Sequence, residues 1–296
     1  MKESLKKSLL VLMLPFTPLM ADMQLDFSSL VNEFMTESNG LKTIINLSGK
    51  QRMLTQRMSK LVVQIKLNVQ KKQSTEKLKE MATLYAKTLK AFRHADSDLG
   101  IGKATNAKVL EQIAVVEKEW KTFYEHIQMI VDAKAKEESF VYILAHNEKL
   151  LKVSNELVKR YEASNTSSNY LEKARLRVVN VAGRQRMLTQ KMTKEKLLLI
   201  GGNKGFEKKL EATVKLFDDS LIVLQKGDKA QHIGKATNEK IIKQLTVVST
   251  LWSELKPLYL KKKNTSKELA VIISKNSVLL KEMNSMVLLA EKEVEY

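Results

Sequence analysis

Residues 46–60 read NLSGKQRMLTQRMSK, and residues 180–194 read NVAGRQRMLTQKMTK. At an offset of 134, ten of the fifteen positions are identical. Further along, IGKATNAKVLEQIAVVEKEW (101–120) returns as IGKATNEKIIKQLTVVSTLW (233–252), at an offset of 132. Landmarks in the same order at nearly one offset mark a duplicated unit, and the copies are placed at 23–160 and 161–296. The quoted stretches also set the fold class. Ile44, Leu47, Gln51, Leu54, Met58, Leu61 and Ile65 step by three and four, as do Val178, Val181, Gln185, Leu188 and Met192. Such a stripe is the core face of an amphipathic helix. It accounts for the methionines of RMLTQRM and RMLTQKM as core filler, ahead of a copper site built from Met53, Met58, Met187 and Met192.

Outward from these segments the pattern stays helical. The chain has three prolines, two of them near the N-terminus and the third, Pro257, within a periodic stretch. Glycines gather where turns are wanted, at Gly100 and Gly102, at Gly201, Gly202 and Gly205, and at Gly227 and Gly234. The punctuation predicts helices over 25–70, 75–97, 104–133 and 136–164, then 167–200, 206–226, 237–262 and 265–294. Thr105 and Thr237 stand where N-caps belong, Trp120 and Trp252 are matched core anchors, and SNTSSN (164–169) joins the copies. Helices joined by short turns pack up and down, so the predicted fold is all-α, two tandem antiparallel four-helix bundles.

Composition narrows the classes of function. Residues 1–21 carry Lys2, Lys6 and Lys7, a short apolar run and a terminal Ala21, the form of a cleaved secretory signal peptide. No later stretch approaches the roughly 20 apolar residues of a membrane span, so the mature chain is expected in the periplasm without a transmembrane helix. Cysteine is absent, which removes thiol chemistry and zinc–thiolate sites. Lys and Arg number 51 against 33 Asp and Glu, a net charge of +18. The positive residues are interleaved with Glu and form no basic arm, so nucleic acid is not the expected partner; the field favours small anions and acidic partners. His94, His126, His146 and His232 show no metal-ligand spacing, and no Glu-x-x-His pair provides a di-metal site. Asp96 with Asp98, and Asp218 with Asp219, lack a partner base or nucleophile. Neither an enzyme nor a cofactor is expected.

A second stripe adjoins the apolar one: Ile45, Gly49, Arg52, Gln56 and Ser59, matched by Val179, Gly183, Arg186, Gln190 and Thr193. A mid-helix glycine costs roughly 1 kcal/mol relative to alanine, yet both copies place one a turn before an arginine. Small residues permit close helix approach. The arginine would then enter a narrow seam and require an anion, either a carboxylate or a ligand. The alternative is an arginine on a solvated face or paired with a glutamate.

The segment N-[LV]-[SA]-G-[KR]-Q-R-M-L-T-Q-[RK]-M resembles the signature helix of the PilJ-type sensor domain, the N-terminal domain of type IV pili methyl-accepting chemotaxis transducers. It is similar also to the P-box helix of NarX-type nitrate/nitrite sensor kinases. The resemblance implies a periplasmic four-helix bundle and, where the ligand is known, often nitrate held between two signature helices by an arginine from each. It maps onto Gly49, Arg52 and Met53, and onto Gly183, Arg186 and Met187, with Gln56 and Gln190 a turn further along the site. A guanidinium fork suits a planar anion made only of acceptors, and a duplicated chain supplies both halves of such a seam. Relatives continue into a kinase or methyl-accepting module. Here signalling is expected through a separate membrane receptor or sensor kinase, the alternative being a non-catalytic periplasmic interaction or scaffold protein.

Overall fold

The structure, a computed structural model, describes residues 41–164 and 170–292. Among the described residues eight α-helices and one 3-10 turn (Lys204–Phe206) run in the order α1 Leu41–Lys66, α2 Lys71–His94, α3 Ala107–Val131 and α4 Glu137–Ala163, then α5 Tyr170–Ile200, α6 Glu207–Lys226, α7 Glu239–Leu260 and α8 Ser266–Lys292. Each set of four closes a bundle in which consecutive helices are neighbours and the fourth returns to the first. The proposed signal segment, the first sixteen residues of the predicted first helix, and all of the joint except Ser164 lie outside the described residues.

Local chemistry explains several helix boundaries. Asn106 and Asn238 adopt extended backbone and accept from the amides two and three residues on, at 3.0 and 3.3 Å in both copies. They, and not Thr105 and Thr237, are the caps, because the side-chain oxygen that reaches the free amides belongs to the residue directly preceding the helix. The first helix ends at Lys66 and not at residue 70, with Asn68 and Gln70 at positive φ; the second spans Lys71–His94 and not 75–97. Ala95 at φ 72° and its counterpart Gly227 at φ 78° stop α2 and α6. Each then leads into a short loop clasped by mutual backbone bonds, Asp96 with Ile101 and Asp228 with Ile233.

The apolar stripes fill one continuous core shared by both bundles. Tyr85 lies against Trp120 with ring centroids 4.2 Å apart, and Phe217 against Trp252 at 4.4 Å. The Trp252 indole N–H also donates to Asp218 (2.8 Å), so that carboxylate tethers α6 to α7. The bundles meet along α1 and α5. Asn46 bonds to Arg186 while Asn180 bonds to Arg52, and Val63 shares an apolar cluster with Leu197. The two helices therefore run parallel, in the register of the 134-residue repeat, about a pseudo-two-fold axis along the seam. Because α1 is packed by α2, α4 and α5 together, residues 45–65 are buried on every side, Lys50, Arg57 and Lys60 included.

Candidate functional site

Along the α1–α5 seam the buried polar groups form two layers. The first is built from the signature arginines. Arg52 is 2 % exposed and Arg186 1 %, which removes the reading of an arginine on a solvated face. Arg52 donates through Nη1 to Asn155 Oδ1 (3.0 Å) on α4 and through Nη2 to the Asn180 carbonyl (3.3 Å) on α5. Arg186 mirrors it, donating to Asn284 Oδ1 (2.8 Å) on α8 and to Asn46 Oδ1 (2.7 Å) on α1. No carboxylate among the described residues hydrogen-bonds Arg52, and its Nε has no acceptor among them.

Gly49 and Gly183 give the guanidinium groups their room. A Cβ at Gly49 would lie 3.1 Å from Arg52 Nη2 and 3.8 Å from Arg186 Nη2; at Gly183 the distances are 3.5 and 3.3 Å. The space over each glycine is thus occupied by arginine side chains and not by the facing backbone. The two Nη2 atoms are at most about 7 Å apart, a separation at which like charges repel in a poorly hydrated interior. Burial, and then the neighbouring Arg186 and Arg184, hold the Arg52 guanidinium down to about 9, well below its ordinary value, with only Glu162 acting in the opposite sense. Such a place gathers two buried guanidiniums and their donor hydrogens, a chemistry able to hold an anion.

The second layer lies one turn on. Gln56 accepts from Lys194 Nζ (2.7 Å), and Gln190 donates to Asn276 Oδ1 (3.1 Å). Neither glutamine has a recorded hydrogen bond to the arginines; they belong to this lysine–asparagine layer. Lys194 also donates to Asn147 (2.6 Å) and to Glu148 (3.1 Å). Among the described residues its counterpart Lys60 reaches Asn276 (3.2 Å) and no carboxylate, because the position equivalent to Glu148 is Ser277. Burial lowers both lysines, Lys60 far more: Arg57 and Lys77 depress it further, whereas Glu148 and Glu195 support Lys194. Burial pushes Glu148 up, but Lys194 and Lys191 outweigh it and leave the carboxyl below its usual range.

The structure therefore brings Arg52, Arg186, Gly49 and Gly183 together and places Gln56 and Gln190 beside them. Sequence reading missed the asparagines of the last helix in each copy. Asn147 and Asn155 recur as Asn276 and Asn284 at an offset of 129, and Glu162 recurs as Glu291. An Asn-x7-Asn pair keeps one helix face and was the available signal.

No match was found among curated proteins or among solved structures. The family of the type IV pili methyl-accepting chemotaxis transducer N-terminal domain, PilJ, matches residues 34–140 and again 172–273. These two segments cover most of the chain and contain both signature helices, so the protein belongs to the PilJ family, a family of sensing and signalling domains, and carries two tandem copies.

Proposed function

We propose that this protein is a periplasmic, non-catalytic receptor for a small oxyanion, with nitrate or nitrite the favoured ligand, and that it passes its liganded state to a membrane-bound chemotaxis receptor or sensor kinase. The observation that carries the reading is the convergence of Arg52 and Arg186 on one buried place, where the Arg52 fork donates to neutral amide oxygens. A planar anion between the guanidiniums accepts from both forks, cancels their repulsion, and needs no counter-cation. Asn46, Asn180, Asn155 and Asn284 then orient the forks and add no competing negative charge. The site's pseudo-two-fold symmetry suits a ligand with equivalent oxygens better than one with a distinct head and tail.

The test is thermal unfolding of residues 22–296 with nitrate, nitrite, sulfate and chloride at fixed ionic strength. A ligand at 100 times its dissociation constant adds about 2.7 kcal/mol if it binds the folded state alone. Saturable stabilisation by nitrate or nitrite, lost in Arg186→Ala, is the expected result. Equal stabilisation by every anion would reduce the site to a counterion effect.

A second reading rests on Glu162, which lies in the electrostatic field of Arg52. In it the arginines are balanced from within, and the chain is an interaction or scaffold protein without a small ligand. It predicts no anion-specific stabilisation.

A further inference from the structure

A cavity of about 290 Å³ opens between the C-terminal turn of α4, the first half of α5 and the loop after α6; Glu162, Arg177, Asn180, Arg184, Ala230 and His232 are among its walls. Asn180 is one of the residues that line it. The Asn180 side chain donates to Glu162 Oε1 (2.8 Å), while its carbonyl accepts from Arg52 Nη2 (3.3 Å). One residue therefore separates this opening from the arginine pair.

The pseudo-symmetric position on the other bundle is different. Arg177, Asn180, Arg184 and Glu162 correspond to Thr43, Asn46, Lys50 and Glu291. Those four are buried, at 0, 1, 2 and 2 % exposed, whereas their counterparts beside the cavity are all partly exposed. The seam has one open flank and one closed flank. On the open flank an arriving anion first meets two guanidiniums, with Arg184 braced on Ser220 (3.3 Å).

We propose that this cavity is the channel through which the anion reaches Arg52 and Arg186, and that Glu162, held by Asn180, is its gate, the counter-charge to Arg52 until an anion takes its place. The proposal rests on the reading of the arginine pair as the oxyanion site. The groups that face Glu162 are Arg52 on α1, Arg177 and Arg184 on α5 and Lys159 on its own helix, with His232 across the same cavity from the loop. An incoming anion brings a second negative charge into this cluster. Glu162 responds by swinging toward Arg177 or by taking a proton, and burial already favours the protonated carboxyl. Either movement frees the Asn180 amide, so gate and ligand exchange places without leaving Arg52 uncompensated.

Nitrate association and dissociation rates, read from ¹⁵N-nitrate exchange line shapes with the mature protein, test this. Ala230→Trp places an indole on an exposed loop at the channel mouth; Asp98→Trp places one at the equivalent loop position of the closed flank. Ala230→Trp should slow both rates by tenfold or more and leave Kd unchanged, while Asp98→Trp alters neither. Glu162→Gln should tighten nitrate binding several-fold by removing the competing carboxylate. Unchanged rates in Ala230→Trp, with normal nitrate affinity, overturn the channel and leave the arginine site standing. Absence of nitrate binding in the wild type overturns both.

Discussion

Replacing Arg52 with methionine separates an arginine kept for a ligand from one kept for the fold. The guanidinium is buried and held to about 9, well below its value in water, so its charge weighs on the ligand-free fold by about 5 kcal/mol at neutral pH. Methionine fills the same channel without the charge. The change gives up the bonds to Asn155 and to the Asn180 carbonyl, and each acceptor left unmet costs about 1–3 kcal/mol. These opposing amounts nearly cancel, so ligand-free Arg52→Met should unfold within about 2 kcal/mol of wild type, with the Glu162 carboxyl that faced Arg52, already raised by burial, taking up a proton. The sign with pH is fixed as well. A base whose folded pKa is depressed destabilises the fold fully below that pKa and progressively less above it. Wild type should therefore gain stability on the variant as pH rises from about 9. Denaturant titrations with and without saturating nitrate supply both readings: ligand-free midpoints close together, and a nitrate-dependent shift in wild type alone. A loss above 3 kcal/mol without ligand, or a nitrate shift that survives in the variant, would refute the reasoning.

Gly183→Ala should raise ligand-free stability by up to about 1 kcal/mol through helix propensity, since its methyl meets only the ends of Arg186 and Arg52 at 3.3 and 3.5 Å; nitrate affinity measured calorimetrically should nonetheless fall tenfold or more, and unchanged affinity would sink the role given to the glycine. Ser277→Glu should restore to Lys60 the partner that Glu148 gives Lys194, adding about 1–2 kcal/mol by relieving a buried unpaired charge. It should also flatten the rise in stability that wild type shows as pH climbs through the depressed Lys60 value toward 10.5; a destabilised variant would mean that Lys60 is not short of a counter-charge. Nitrate should bind more tightly as pH falls, by up to tenfold per unit for one linked proton, because an anion beside Arg52 raises further a Glu162 carboxyl that burial has already raised; titrations from pH 7 to 5 should show the slope in wild type and none in Glu162→Gln. Ala95→Gly should stabilise by about 1 kcal/mol through relief of the φ 72° strain that glycine already relieves at its counterpart Gly227, and an unchanged melting temperature would show that the turn is unstrained.

Helices and the repeat were legible because their signals are local. Periodicity at three and four picked out Leu47, Leu54, Met58 and Leu61, all buried, and the repeat aligned Arg52 with Arg186 before any packing was known. What stayed hidden depends on the arrangement of distant elements. Lys50, Arg57 and Lys60 look like the solvated side of α1, and become buried because α5 covers the side that a solitary bundle would expose. Asn155 and Asn284 look like indifferent mid-helix polar residues until α4 and α8 deliver them to the arginines across 103 and 98 residues of chain. The cap error has a different origin. In each Thr-Asn pair both residues are good caps, and the choice between them turns on which one has the last extended backbone, a matter of one φ/ψ pair.

A site shared by two chains of a homodimer must be the same on both sides; a site shared by two halves of one chain is free to differ. Here the freedom is used unequally. The arginines, the glycines and the asparagines Asn155 and Asn284 keep their pseudo-two-fold relation, as a ligand with equivalent oxygens under the proposed function requires, while the Asn46 side chain meets Arg186 and the Asn180 side chain meets Glu162. One turn away the relation lapses: Lys194 has Glu148, and Lys60 faces Ser277's place with no carboxylate among the described residues. On the flanks it lapses again, with Glu162 beside an open cavity and Glu291 buried. Divergence is absent where two guanidiniums converge and present where a route and a counter-charge are arranged. That distribution follows if recognition demands symmetry while access and tuning do not, and it places the informative substitutions of this protein at Ser277 and Ala230, where the copies differ in residue, and at Glu162, where they differ in surroundings.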